Sequence, residues 1–341
     1  MSNLQIGLVI VGSVVLVALI VHGVWITRKN TPRQPAATPE SPSAKNQLEE
    51  LNSLPPPPPN SILPRSLGLD YLIDAIATVT LKADGRSVSG DAAIAAMPST
   101  RRVGSKPFAI EGLNLATREW ETLVSEHRYR IFQAGVQLAN RTGALNEIEY
   151  SEFVAKTQAF ADALDANVEF TDMLQEVARA RDLDQFANAH DAVLNLSLHA
   201  TRVAWSLGYV QQTAVNLGFV MGTLPGCMVL PHASDNPTPL LVLYYDQQAA
   251  LADHPENVAV NKISLQLDVT HIDRYEQPFE RMRQVSSHLV EIMEGVITDD
   301  NNQELSNQAM DQIGMDLYRL YEVLDQRDLS AGSPLAKRLF S

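Results

Sequence analysis

Residues 6–26 carry no formally charged side chain: apart from Ser13, His22 and Trp25 they are Ile, Leu, Val, Gly and Ala. A helix of that length measures about 31 Å at about 1.5 Å per residue, which matches the ~30 Å hydrocarbon core of a bilayer. A cleaved signal peptide needs basic residues ahead of a shorter apolar run, and residues 1–5 have none. The stretch therefore predicts a single-pass anchor over 1–30. Trp25 is placed for an interface, and Arg28, Lys29 and Arg33 follow at once. Basic flanks stay cytoplasmic, so the expected topology is an outward N-terminus and a cytoplasmic body. The lone Cys227 fits a reducing compartment and excludes an internal disulfide framework.

Residues 31–67 are expected to form a disordered linker. Ten of the nineteen prolines fall within 31–64, including the run 55–59. Proline removes backbone donors and fixes φ, so this stretch cannot build a core and reads as an extended spacer. Proline runs also serve as ligands for aromatic-lined grooves, but the position between an anchor and a body favours the spacer.

The body reads as a pattern used twice. In the later copy, 192–198 (AVLNLSL), 240–245 (LLVLYY) and 262–269 (KISLQLDV) are strand-like, and 218–230 is a bent strand or strand pair. Residues 205–216 predict a helix. Phe279, Met282, Val285, Leu289, Ile292 and Met293 recur at helical spacing, Gly295 fits the stop, and 296–298 is a short strand before a last helix through Leu317, Leu320 and Leu324. The earlier copy repeats this order, with strands at 75–81, 108–113 and 131–138, and helices around 153–164 and 173–186. Gln137-Leu138 is aligned with Gln266-Leu267, and Phe153 with Phe279.

Alternation assigns the faces. Ile263, Leu265, Leu267 and Val269 oppose Ser264, Gln266 and Asp268, and Leu194, Leu196 and Leu198 oppose Val193, Asn195 and Ser197. The fold class is thus α+β: an N-terminal transmembrane helix, a Pro-rich linker, and two tandem split β-α-β-like domains, each an antiparallel sheet with helices on one face. The expected boundaries are 68–187, 188–326, and a flexible tail at 327–341. Residues 240–245 are apolar in both phases, so Leu241, Leu243 and Tyr245 form either an apolar floor on the open face or a surface packed on the other repeat.

Little in the sequence points to catalysis. The eight histidines show no metal-ligand spacing, 299–302 lacks the glycine and glutamate of a calcium loop, and Gly218, Gly222 and Gly226 make no phosphate-binding loop. The neighbours of Cys227 supply no acid–base partner. No catalytic residue, cofactor or metal is expected, and a formal net charge of −14 argues against nucleic acid.

Three segments resemble the ZipA family of bacterial cell-division proteins. They are the uncharged helix ending in VHGVW, followed by Arg28-Lys29 and prolines; the body segments AVLNLSL and GFVMG; and the run from Phe279 through Gly295 into VITDD. The resemblance implies a non-enzymatic inner-membrane adaptor whose 188–326 domain binds the C-terminal peptide of the tubulin-like division protein FtsZ on its open sheet face. Carried onto this sequence, that face falls on Val193, Asn195, Met228, Leu241, Leu243, Tyr245, Gln247 and Ser264. The alternatives are a scaffold for another division or envelope protein, favoured by the polar residues on that face, and a membrane-anchored enzyme, for which no constellation speaks. On the earlier copy, Gln133, Gly135 and Gln137 argue against a second FtsZ site.

Overall fold

The computed structural model describes residues 68–82, 86–232, 238–252, 254, 257–299 and 302–341. The expected span at 6–26 and nearly all of the expected linker lie outside these residues. Among the described residues no helix is long and apolar enough to cross a membrane. The described residues divide into two units, one made of 68–192 with 320–341 and the other of 193–319.

In the first unit, strand β1 (Asp74–Leu81) is followed by the short helix α1 (Gly90–Ala96), β2 (Arg102–Val103), β3 (Lys106–Asn114) and β4 (Arg128–Gln137). Helix α2 (Glu147–Leu164), strand β5 (Ala166–Glu169) and helix α3 (Met173–His190) complete it. The sheet runs β2-β3-β4-β1-β5, and the β1, β3 and β4 pairings are antiparallel. Directly opposed residues share a face. Ala75, Val136 and Phe108 form one core row, and Ala77, Ala134 and Ile110 the next. Helix α2 covers them, with Phe153 and Phe160 edge-on to Phe108 and Phe132 at 6.0 and 5.3 Å between ring centroids. Its start is fixed by a capping box between Asn146 and Glu149, which satisfies backbone donors the first turn leaves unpaired.

The second unit has β6 (Val193–Ala200), helix α4 (Leu207–Asn216), β7 (Val220–Met221), β8 (Cys227–Leu230), β9 (Leu241–Tyr244) and β10 (Lys262–Asp268). Helix α5 (Pro278–Met293), strand β11 (Gly295–Thr298) and helix α6 (Asn307–Asp325) follow. The sheet order is β7-β8-β9-β10-β6-β11, and every pairing is antiparallel. Helix α5 opens with Pro278 in its first turn, where a missing N–H costs nothing. Its buried stripe Phe279, Met282, Val285, Leu289 and Met293 packs on β6, β10 and β11.

The two units share one plan. In each, the strand that opens the unit lies between the strand preceding the long helix and the strand following it. Asp74 opposes Gln137 as Val193 opposes Asp268, and Thr78 opposes Glu169 as Ser197 opposes Thr298. Helices α2 and α5 both end on a left-handed, non-glycine residue, Asp165 (φ 54°) and Glu294 (φ 53°), followed directly by a strand. Aligned on those caps, the buried positions coincide: Tyr150 with Phe279, Phe153 with Met282, Thr157 with Ser286, Phe160 with Leu289 and Leu164 with Met293.

Five expectations are corrected. The helix stop is Glu294, and Gly295 opens the strand, because a Cβ at 295 would lie 2.9 Å from a methyl of Leu198. Phe153 answers Met282 rather than Phe279, and Gln137 answers Asp268 rather than Gln266. Both slips keep the apolar phase, so periodicity could not detect them. The first unit extends past 187 through the end of α3, and its parts are not contiguous in sequence. The expected flexible tail at 327–341 instead holds helix α7 (Pro334–Leu339), capped by Ser333, with Ala336, Leu339 and Phe340 buried in the first unit.

Candidate functional site

The second sheet has a helix-covered face and an outer one, and pairing decides which residue lies on which. Met228, Leu243, Leu265 and Leu196 lie side by side across four strands. All four are buried, so this row belongs to the core. The rows on either side point outward. One runs Val220, Val229, Val242, Gln266 and Asn195; the next runs Cys227, Tyr244, Ser264, Ser197 and Thr298, of which Tyr244 and Ser264 are accessible while Cys227, Ser197 and Thr298 are buried. Val193 opposes Asp268 at one end of the outer face, and Lys262 opposes His199 at the other.

The outer face has two chemical halves. Val220, Val229, Val242 and the ring of Tyr244 make an apolar side, with Val220 49% and Tyr244 41% exposed. Beyond Tyr244 the surface turns polar. The Tyr244 hydroxyl donates to Gln266 Oε1 at 3.3 Å, and Gln266 Nε2 donates to Asn195 Oδ1 at 3.1 Å, so three strands are tied by one hydrogen-bonded row. Such a row holds its side chains flat against the sheet and leaves amide donor capacity for a bound chain. At the sheet edge the hairpin residue Leu224 is exposed (68%), while Met221, opposite Met228, is exposed (60%) on the helix side of the edge and is no part of the outer face. The hairpin turns at Gly226, whose φ of 85° suits glycine.

Of the sequence-predicted face, Val193, Asn195 and Ser264 lie on the outer surface. Met228, Leu241 and Leu243 do not: they are buried on the helix side. Tyr245 is also buried, and its hydroxyl accepts from Gln211 Nε2 of α4 at 3.2 Å. Gln247 starts a one-turn helix, Gln247–Ala250, past the end of β9. The outward residues of that strand are Val242 and Tyr244, which sequence reasoning missed along with Val229; Gln266 is outward as alternation predicts, although the resemblance did not place it in the binding set. The phase of LLVLYY is ambiguous by itself, since both parities are apolar. The signal lay in its neighbour: once Leu265 is taken as inward, antiparallel pairing with Leu243 fixes Val242 and Tyr244 as outward.

Two polar clusters in the first unit bring titratable groups together. Glu121 Oε1 accepts from Tyr129 Oη at 2.7 Å and Asn114 Nδ2 at 2.9 Å, and lies 2.5 Å from His127 Nδ1. Burial and the adjacent carboxylate push the Tyr129 hydroxyl up to about 12, so it stays a donor. Lys106 is buried, with Nζ donating to Ser105 Oγ, Asn140 Oδ1 and Thr142 Oγ1 at 2.8 to 3.2 Å; burial lowers its pKa. Both are satisfied internal networks. Among the described residues no group of three or more His, Cys, Asp or Glu side chains is placed to hold a metal ion.

The second unit is thus an α+β domain, an antiparallel sheet with helices on one face and a half-apolar outer face. Residues 246–315 match the family model described as "ZipA, C-terminal FtsZ-binding domain". The match supports a ZipA family protein. It spans β10, α5, β11 and the start of α6, so Ser264 and Gln266 fall inside it, with Lys262, Asp268 and Thr298, while Val193, Asn195, Val220, Val229, Val242 and Tyr244 precede it. No curated protein matches the chain.

Proposed function

We propose that this protein is a non-enzymatic, membrane-tethered cell-division adaptor that binds the C-terminal peptide of FtsZ on the outer face of its second sheet and links the division ring to the inner membrane. The observation that carries the reading is the match of 246–315 to an FtsZ-binding domain in a unit whose sheet keeps one face uncovered by helices. Apolar anchors of a short peptide would sit on Val220, Val229, Val242 and Tyr244, and its backbone or polar groups on Gln266, Asn195 and Ser264. The uncharged stretch 6–26 with Arg28 and Lys29 supports a single span with a cytoplasmic body, and the prolines of 31–64 support a spacer. Shared strand order and coincident buried positions support reading the first unit as a degenerate second copy.

The test is a titration of the full chain in detergent micelles against FtsZ with and without its C-terminal peptide. Saturable binding that needs the peptide, lost on Val242→Asp, is expected; binding indifferent to the peptide overturns the reading. Removing residues 1–30 is expected to move the protein from the membrane fraction to the soluble one, checked by fractionation of cells. The second reading, a scaffold for a different division or envelope protein, is favoured by the polar half of the face. It predicts a folded protein that leaves FtsZ unbound.

A further inference from the structure

The first sheet has an outer face of its own, and register places its residues one for one against those of the second. Ile76, Gly135 and Ala109 stand where the second unit has Asn195, Gln266 and Val242. Asp74, Gln133 and Glu111 stand at Val193, Ser264 and Tyr244. Sequence reading left this face with no more than weak features, two glutamines and a glycine. In the structure it is covered. A Cβ on Gly135 would come within 2.4 Å of a methyl of Leu69, so the missing side chain is the seat of that leucine. The Leu69 N–H donates to Glu111 Oε2 at 3.3 Å. Arg338 of α7 closes the other end: its guanidinium donates to both Asp74 carboxylate oxygens at 2.5 and 3.0 Å and to the carbonyl of Gly68 at 3.3 Å. Gln137, opposite Asp74, donates to the Arg338 carbonyl at 2.7 Å.

We propose that the outer face of the first sheet is a docking face used in cis, with the chain's own segment 68–70, held by Arg338, as its resident ligand. An apolar side chain seated in a glycine gap, a backbone N–H given to a sheet carboxylate and a guanidinium over a second carboxylate are the contacts by which a sheet face holds an extended segment. The same face position is therefore open in the second unit and filled in the first, and the protein offers one docking face rather than two. This rests on the proposed function only in taking the second face as the partner site; the closure itself is read separately.

The experiment uses the full chain with Cys227→Ser and Ile76→Cys, so that one thiol reports on the covered face. The rate of thiol modification is compared before and after Leu69→Asp, with Leu69→Ala as a milder version, while circular dichroism reports folding. A protected thiol that reacts at least tenfold faster with Leu69→Asp, and to an intermediate degree with Leu69→Ala, is expected, with the fold and FtsZ-peptide titration unchanged. A thiol that already reacts rapidly beside Leu69, or one still protected with Leu69→Asp, overturns the proposal. So does loss of the fold in both Leu69 variants, because the segment would then be core and not a ligand. If the unsubstituted protein binds no FtsZ peptide, the proposed function fails while the thiol result still decides the closure.

Discussion

Leu243 and Tyr244 are adjacent in the chain and opposite in role. Leu243 is sealed between Met228 and Leu265, so an aspartate there puts a charge where no partner exists, costing several kcal/mol, and Leu243→Asp is expected to unfold the second unit. Tyr244→Asp falls on solvent. It is expected to leave the melting temperature within a few degrees while weakening the FtsZ peptide at least tenfold, about 1.4 kcal/mol, as read by paired thermal melts and titrations. The opposite outcome for the pair would reverse the assigned faces. A second residue-scale test concerns Glu111. Burial, partly offset by the Leu69 N–H, holds its pKa above the ordinary carboxylate value, so the charged form costs stability at neutral pH. Glu111→Gln is therefore expected to raise stability at pH 7. The gain should fade as pH drops through the raised pKa and vanish below the ordinary value, where both states are protonated. Denaturant melts across that range check the sign.

At the scale of elements, local rules account for much of what forms. Asn146 and Glu149 cap α2 reciprocally, and Asn146→Ala is expected to cost roughly 1 kcal/mol in a urea melt. The stripe of α5 was legible because its apolar residues recur at helical spacing and Pro278 suits a first turn. Its exact stop was not, since Glu294 takes a left-handed conformation that the sequence suggests for Gly295. Helix α7 was missed altogether. Six residues are too few for periodicity to speak, and what holds α7 is a partner over two hundred positions away. Arg338→Ala would strand the buried Asp74 carboxylate, a loss of roughly 3–5 kcal/mol. Adding Asp74→Asn is expected to recover part of it, and a double-mutant cycle measures the coupling.

For the whole molecule the decisive quantity is valence. With the first sheet's outer face occupied by 68–70 and the second's open, one FtsZ peptide per chain is expected at saturation, and Val242→Asp should reduce that number to zero. Two peptides per chain, measured by calorimetry, would contradict the closed first face. A one-site chain has no second, intramolecular binding event and gains no avidity in solution, so single peptides and polymerised FtsZ are expected to show the same affinity per site.

The sequence by itself determined the α+β class, the doubled order of strands and helices, and the inward phase of β6 and β10, because alternation and helical spacing are local consequences of burying one face of each element. It also carried the family resemblance through Phe279 to VITDD. Only the tertiary structure decided which phase of LLVLYY faces out, that 320–341 returns to the first unit, and that Leu69 and Arg338 cover one of two equivalent faces. Each of those depends on contacts between residues far apart in the chain: Leu243 with Leu265, Arg338 with Asp74, Leu69 with Gly135. A periodic pattern can say that a residue is buried, but the partner that buries it is fixed only when the strands pair and the chain ends come to rest.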